Sequence, residues 1–213
     1  MQTPRREDSL TKLIEQQAEN PVIVLHWYDF ICPFCYVGQQ RTKILVRNGF
    51  SVIELPFRAH PEIPAHGMQI GPRKGAMYDN LEREAVEAGL ELNWPARLPN
   101  SSIALAAAEW VRESQPNDFA GFHEDLFAAH FVQGEDLGDH AVVERYAARR
   151  GVNVKELREA LSDRSALSAV EQSEEIARSY GVHGTPAWLV AGRLVSGLLP
   201  AESFERMVAH AAR

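Results

Sequence analysis

The chain lacks several features that would each define a class of protein at once. Its 213 residues include only two cysteines, which excludes a disulfide-dense miniprotein. Acidic residues outnumber basic ones by 29 to 22, and the net charge of −7 gives no electrostatic footprint for nucleic acid. No run of about eighteen apolar residues occurs, so no membrane partner is expected. The remaining composition is globular and fits one large domain or a core domain with an insertion.

The amino terminus also lacks the apolar run of a secretory signal, because it is rich in charged residues. A cytoplasmic location is therefore expected, provided that no leader has been removed. Residues 1–20 place Leu10, Leu13, Ile14 and Gln17 on one stripe, which predicts a short amino-terminal helical extension.

The next part of the chain has a βαβ pattern. Residues 22–28 form a nearly unbroken apolar, β-branched run, typical of a strand buried on both faces. A helical pattern follows over residues 36–47, and residues 50–58 read as a second strand. Two parallel strands joined by a helix predict a right-handed crossover.

A long helical block interrupts this α/β pattern. Residues 61–164 show successive helical segments and no convincing strand, and one of these segments covers residues 119–131. Helix caps are expected at Asn100, Asp139 and Asn153. A helix over residues 165–180 follows this block.

The carboxy-terminal part has a ββα pattern. Two short apolar runs joined by Ala191 and Gly192 predict a β-hairpin. Pro200 opens a last helix.

Both cysteines lie in one Cys-Pro-Phe-Cys segment between the first strand and its helix. Two cysteines placed at random would have this spacing in roughly 1% of chains. Cys32 should cap the helix, where unpaired backbone N–H groups lower the pKa of a thiol below its free value of about 8.5. Cys35, one turn later, is expected to be shielded. Pro33 and Phe34 carry no charge, so the helix end should provide most of the effect. This arrangement predicts thiol–disulfide exchange, with Cys32 attacking and Cys35 resolving.

A zinc site is the main alternative for a cysteine pair. Zinc needs about four ligands, and the chain has no second pair of cysteines. The histidines of the helical block, His123, His130 and His140, show no ligand spacing. No metal is therefore expected.

These motifs together resemble those of thioredoxin-fold proteins, and most closely the FrnE-like branch of the DsbA-like superfamily. The resembling segments are residues 27–38, 55–58 with Pro61, 104–110, 126–131, 134–137 and 181–188. The resemblance implies an α/β thioredoxin fold with a large all-helical domain inserted between the βαβ half and the ββα half. Its thioredoxin-like domain would comprise residues 21–60 and 165–213, and the inserted domain residues 61–164.

The resemblance also implies substrate-binding residues near the cysteines. The Thr185–Pro186 peptide bond would be cis and lie against the cysteines, where the Thr185 backbone could pair with an extended substrate. The Thr185 hydroxyl would either bond the Cys32 thiolate or cap the turn, and His183 belongs to the same loop. By topology, an irregular segment should flank the groove: His60, Pro61 and Met68.

Two further residues are candidates for tuning the site. His26 stands where the relatives have a buried carboxylate, and it is either a core histidine or a relay for the Cys35 proton. Asp29 is either a structural acid or a proton-transfer group.

The resemblance implies a protein disulfide oxidoreductase that acts on a disulfide-containing protein or small-thiol substrate. A cellular thiol reductant would recycle it, and no cofactor is needed beyond glutathione as a thiol co-substrate. Two alternatives stay open. One is a glutathione-dependent isomerase or transferase, similar to 2-hydroxychromene-2-carboxylate isomerase and kappa-class glutathione transferases, which typically carry serine at the first active position. The other is a binding module. In a cytoplasm, we expect the protein to act as a reductase or an isomerase. We expect it to be a monomer or a homodimer.

Overall fold

The computed structural model describes residues 19–212, and the predicted helical extension over residues 1–20 lies almost wholly outside them. The strands and helices follow one another along the chain in this order: β1 (Ile23–Tyr28), α1 (Pro33–Arg47), β2 (Ser51–Pro56), β3 (Met68–Gln69), α2 (Ala76–Glu87), β4 (Arg97–Leu98), α3 (Ser102–Ser114), α4 (Pro116–Phe131), α5 (His140–Arg149), α6 (Val154–Ser162), α7 (Ser165–Ser179), β5 (Ala187–Val190), β6 (Arg193–Ser196) and α8 (Ala201–Ala211).

The main sheet has four strands in the order β2-β1-β5-β6. β1 pairs in parallel with β2 and antiparallel with β5, and β5 pairs antiparallel with β6. The central strand β1 is buried on both faces, which confirms the prediction from its unbroken apolar run. Leu25 and Trp27 pack on one face with residues around α7, and Val24 packs on the other face with α1 and α8.

The helical region between the two halves of the sheet comprises α2 to α6, and the predicted α/β fold class is confirmed. The expectation that this region contains no strand is wrong, because β3 and β4 pair antiparallel within it. Strands of two residues are too short to give a periodic pattern in the sequence.

One apolar cluster joins the helical region to the end of β1 and the start of α1. Tyr28, Phe30 and Cys35 belong to it together with Leu105 of α3 and Phe127 of α4. The helical region therefore packs directly behind the cysteine segment. Its bounds of 61–164 stay a prediction, because this core continues across them.

Two helices begin three residues earlier than predicted, and proline explains both differences. α1 begins at Pro33 rather than Tyr36, and α4 begins at Pro116 rather than Phe119. The first residues of a helix need no hydrogen bond from their N–H groups, so proline fits there.

The predicted helix caps are partly confirmed. The side chains of Asp139 and Asn153 accept backbone hydrogen bonds at the starts of α5 and α6. Asn100 is one residue too early, since Ser101 is the N-cap of α3, although the Asn100 amide oxygen still accepts from the Ser102 N–H at 3.0 Å.

The predicted β-hairpin is confirmed. Ala191 and Gly192 have φ values of 47° and 75°, as its tight turn requires. Within the described residues, no helix is both long and apolar enough to cross a bilayer.

Candidate active site

The two cysteines occupy different environments at the start of α1. Cys32 is the N-cap residue and is partly exposed, whereas Cys35 is fully buried. The Cys32 thiol donates to the carbonyl oxygen of Thr185, with an Sγ–O distance of 3.4 Å. One sulfur can therefore meet a substrate while the other lies behind it in the same helical turn.

The pKa values of the two thiols move in opposite directions. The largest effect on Cys32 is a hydrogen bond from the Cys35 thiol, which lowers its pKa against the opposing effect of burial. Burial, followed by the nearby Cys32, raises the pKa of Cys35 well above its usual range. The lowered pKa of Cys32 agrees with the sequence-based prediction, but the Cys35 thiol has the largest effect. A backbone N–H of the first helical turn, that of Cys35, contributes less.

Thr185 and Pro186 lie against the cysteines. The peptide bond between them is cis. The Thr185 hydroxyl is buried and lowers the pKa of both thiols, although it makes no hydrogen bond within the usual geometric limits in this conformation. Gly38 permits the close approach of α1, because a Cβ atom there would lie 3.3 Å from the Trp188 ring and 3.7 Å from the Pro186 ring.

His183 is placed differently from Thr185. It is exposed, and the groove at Cys32 is lined instead by the next two residues, Gly184 and Thr185. A substrate-binding role for His183 stays a prediction.

Asp29 is fully buried beside the cysteine segment. Its carboxylate accepts hydrogen bonds from the N–H groups of Ala59 at 2.8 Å and Ile31 at 3.3 Å. Burial nevertheless raises the pKa of Asp29 to about 6. Its charge also raises the pKa of Cys32. Asp29 therefore links the segment before Cys32 to the segment after β2, and its charge affects the Cys32 thiol. Both observations suit either predicted role.

His26 belongs to a separate polar group that includes residues of three sheet strands, here called the His26 cluster (His26, Thr42, Glu54, His123 and Trp188). The His26 Nδ1 lies in hydrogen-bonding contact with the Glu54 carboxylate, and its ring stacks on Trp188 with centroids 4.5 Å apart. Burial raises the pKa of Glu54, but the charge and hydrogen bond of His26 outweigh it, and the net pKa is lowered. Among the described residues, no hydrogen bond links His26 to a sulfur. The relay role of His26 stays a prediction.

A groove of about 540 Å³ opens at Cys32. Pro33 and Phe34 form part of its wall beside the sulfur. His60, Pro61 and Met68 were expected to flank this groove. His60 and Met68 line it, but Pro61 is not among the lining residues. The other lining residues come mainly from the segment that leads into the helical region: Ala59, Glu62, Ile63, Ile70, Arg73, Met77, Tyr78 and Leu98.

Sequence reasoning missed two charged residues near these features. Glu54 could have been found, because it is a carboxylate inside an otherwise apolar strand. Arg73 carries no such signal, since it stands in an irregular Pro/Gly-rich segment. Within residues 19–212, no group of three or more potential metal ligands comes together.

Comparison with known proteins gives relatives that include proteins of similar length. The uncharacterised protein YwbO of Bacillus subtilis is 22% identical over 184 residues, which cover 84% of this chain and 92% of YwbO. A probable DsbA oxidoreductase from Streptomyces coelicolor has a similar structure, with a TM-score of 0.76, 23% identity and 89% of each chain covered. A 2-hydroxychromene-2-carboxylate isomerase gives a TM-score of 0.73 at 19% identity, covering 90% of this chain and 96% of the isomerase. At these identities the structural likenesses show the fold alone.

The family comparison covers most of the chain. The DSBA-like thioredoxin domain matches residues 23–209, which include both cysteines, the sheet and the helical region. This chain therefore belongs to the DSBA-like thioredoxin domain family.

Proposed function

We propose that the protein is a thiol–disulfide oxidoreductase in which Cys32 attacks and Cys35 resolves. The observation that carries the proposal is the division between the two thiols. The partly exposed Cys32 has a lowered pKa, and the buried Cys35 has a raised one. A thiolate is the nucleophile in this chemistry, so only Cys32 is ready to react first.

The exchange proceeds in two displacements. The Cys32 thiolate forms a bond to one sulfur of the substrate disulfide, and the other sulfur leaves as a thiolate that takes up a proton. Cys35 then loses its proton and attacks Cys32, which releases the second substrate thiol. The protein dithiol is oxidised by two electrons, and the substrate disulfide is reduced. The reverse sequence oxidises a substrate dithiol.

The same proposal covers the direction, location and partners. The motifs that resemble the FrnE-like branch support membership of that branch, and the proposal includes a cytoplasmic location. In a reducing compartment the pair would act as a reductase or isomerase on protein or small-molecule disulfides. A cellular thiol such as glutathione would then regenerate the dithiol.

Two single-cysteine variants test the proposal through turnover of insulin disulfides and of oxidised glutathione. Cys32→Ser should abolish the reaction, because no thiolate remains at the groove. Cys35→Ser should still attack but should accumulate a mixed disulfide on Cys32, which mass spectrometry detects. The proposal fails if Cys32 is alkylated no faster than a free thiol at pH 7, or if neither disulfide is reduced.

The Cys32→Ser variant also separates the two alternatives. A glutathione-dependent isomerase or transferase would keep tight glutathione binding in this variant, since its chemistry needs no protein disulfide. A binding module would keep full activity even when both cysteines are replaced. We expect neither result, because a buried second cysteine in the same helical turn as a thiol of lowered pKa suits the exchange reaction.

A further inference from the structure

Arg73 is an unusual cation in the groove that exposes Cys32. Its Nη1 donates to the Tyr78 hydroxyl at 3.3 Å, and its guanidinium lies over the Tyr78 ring at 5.6 Å. Its Nε is buried and has no hydrogen-bond partner among the described residues. Three other arginines among the described residues, which are buried or partly buried, differ because Arg41, Arg58 and Arg112 each form an ion pair with a glutamate. No such pair involves Arg73 within the described part of the chain.

The rest of the groove does not compensate this charge. Besides the Cys32 thiol, its other acidic or basic side chains are His60 and Glu62, which contact each other at 3.0 Å and are exposed. The remaining walls are mainly apolar: Ile31, Phe34, Ile63, Met68, Ile70, Met77 and Leu98. A buried donor without a partner is costly in such surroundings, and an arginine there favours an anion that it can bind with two hydrogen bonds.

Arg73 is not among the main influences on the pKa of Cys32. The main influences on the Cys32 thiol come from Cys35, burial, Thr185 and Asp29. The partner of Arg73 is therefore expected to arrive with the substrate.

We infer that Arg73 binds a carboxylate carried by the disulfide substrate, close to the sulfur that Cys32 attacks. This inference rests on the proposed function and adds a substrate class to it, namely disulfides with an acidic group beside an apolar part. The apolar wall would hold the uncharged part, and the planar guanidinium would fix the acidic group. The exchange keeps the same balance, since the protein dithiol remains the reductant.

The first test compares two matched disulfides in single-turnover reactions of the reduced protein. Oxidised glutathione carries four carboxylates, and its ester-capped form has the same disulfide without them. We expect the wild-type protein to react about ten-fold faster with the acid, a factor that corresponds to about 1.4 kcal/mol. Arg73→Gln should remove this preference, and Arg73→Lys should keep part of it, because an ammonium group retains charge but not the fork. Lys74→Gln, with the same change of charge on an exposed neighbouring residue, should keep all of it.

A second arm distinguishes the source of the carboxylate. Two apolar peptide disulfides replace the small molecules. They differ only in the residue beside the cysteine, which is Glu in one peptide and Gln in the other. A preference for the Glu peptide alone indicates a protein substrate, and a preference for oxidised glutathione alone indicates a small thiol. Either preference supports the inference when Arg73→Gln removes that preference. The inference is overturned if the wild-type protein prefers the acidic member of neither pair, or if Arg73→Gln slows every disulfide equally. Failure of the wild-type protein to reduce any disulfide would instead contradict the proposed function.

Discussion

The dithiol site (Cys32, Cys35 and Asp29) and the His26 cluster both bury ionisable groups near β1, but the pKa values of these groups are shifted differently in the two regions. In the His26 cluster, Glu54 has a basic partner in direct contact, and its pKa is lowered. At the dithiol site, Asp29 has only neutral hydrogen-bond donors in contact and keeps a raised pKa, and Cys32 and Cys35 are shifted apart. The comparison teaches that burial alone does not make a reactive site. Paired charges hold a sheet together, whereas unpaired ones remain available for chemistry.

The largest effect should come from breaking the paired cluster. Glu54→Leu leaves the buried His26 without its partner, and the loss of one member of a buried pair costs about 3–5 kcal/mol of the free energy of unfolding. The double variant His26→Phe with Glu54→Leu should cost much less, because it keeps an aromatic ring on Trp188 and leaves no unpaired group. Urea denaturation measures both variants.

The same variants sharpen the distinction between the two regions. The alkylation rate of Cys32 should stay within about two-fold of wild type, since the main influences on its pKa do not include Glu54. A changed pH profile of disulfide exchange in the double variant would contradict this separation and support a relay through His26.

The next effect concerns the unpaired acid. The pKa of Asp29 is about 6 in the folded protein and 3.8 in its unperturbed state, so the folded protein binds more protons between these values. The free energy of unfolding should therefore fall by about 3 kcal/mol in total as the pH rises from about 3 to about 7, with about 2 kcal/mol of this between pH 4 and pH 6.

Asp29→Asn tests this dependence. Urea denaturation at intervals between pH 4 and pH 7 should give a flatter profile for this variant than for wild type. The exposed Asp79 provides the matched control, and Asp79→Asn should retain the wild-type slope. An identical slope in all three proteins would show that Asp29 is not the group responsible.

The smallest effect concerns the influence of Cys35 on the pKa of Cys32. Cys35→Ala removes the hydrogen bond that has the largest effect on Cys32, so the pKa of Cys32 should rise. Its alkylation rate at pH 6 should fall about ten-fold, the upper end for one ordinary hydrogen bond. Cys35→Ser keeps a donor and should give a smaller decrease. Thiolate absorbance as a function of pH measures both. Equal pKa values in all three proteins would assign the lowered pKa to the helix terminus, as the sequence alone predicted.

The order of the elements and the reactive pair could be predicted from the sequence because their causes are local. An unbroken apolar run predicts a buried strand, and the cysteine spacing predicts that both sulfurs lie within one turn of a helix. The hairpin turn at Ala191 and Gly192 is equally local. The sequence predicts the starts of α1 and α4 three residues too late, because the apolar periodicity begins only after Pro33 and Pro116, although proline fits the first position of a helix.

Tertiary structure decided what surrounds the pair. Glu54 faces His26 because β1 and β2 align in register, and Arg73 reaches the groove because the segment after β2 folds back over Cys32. No local pattern encodes such contacts, since they join residues distant in the chain. The sequence therefore determined which atoms can exchange a disulfide, and the packing of the helical region decided which charges they meet.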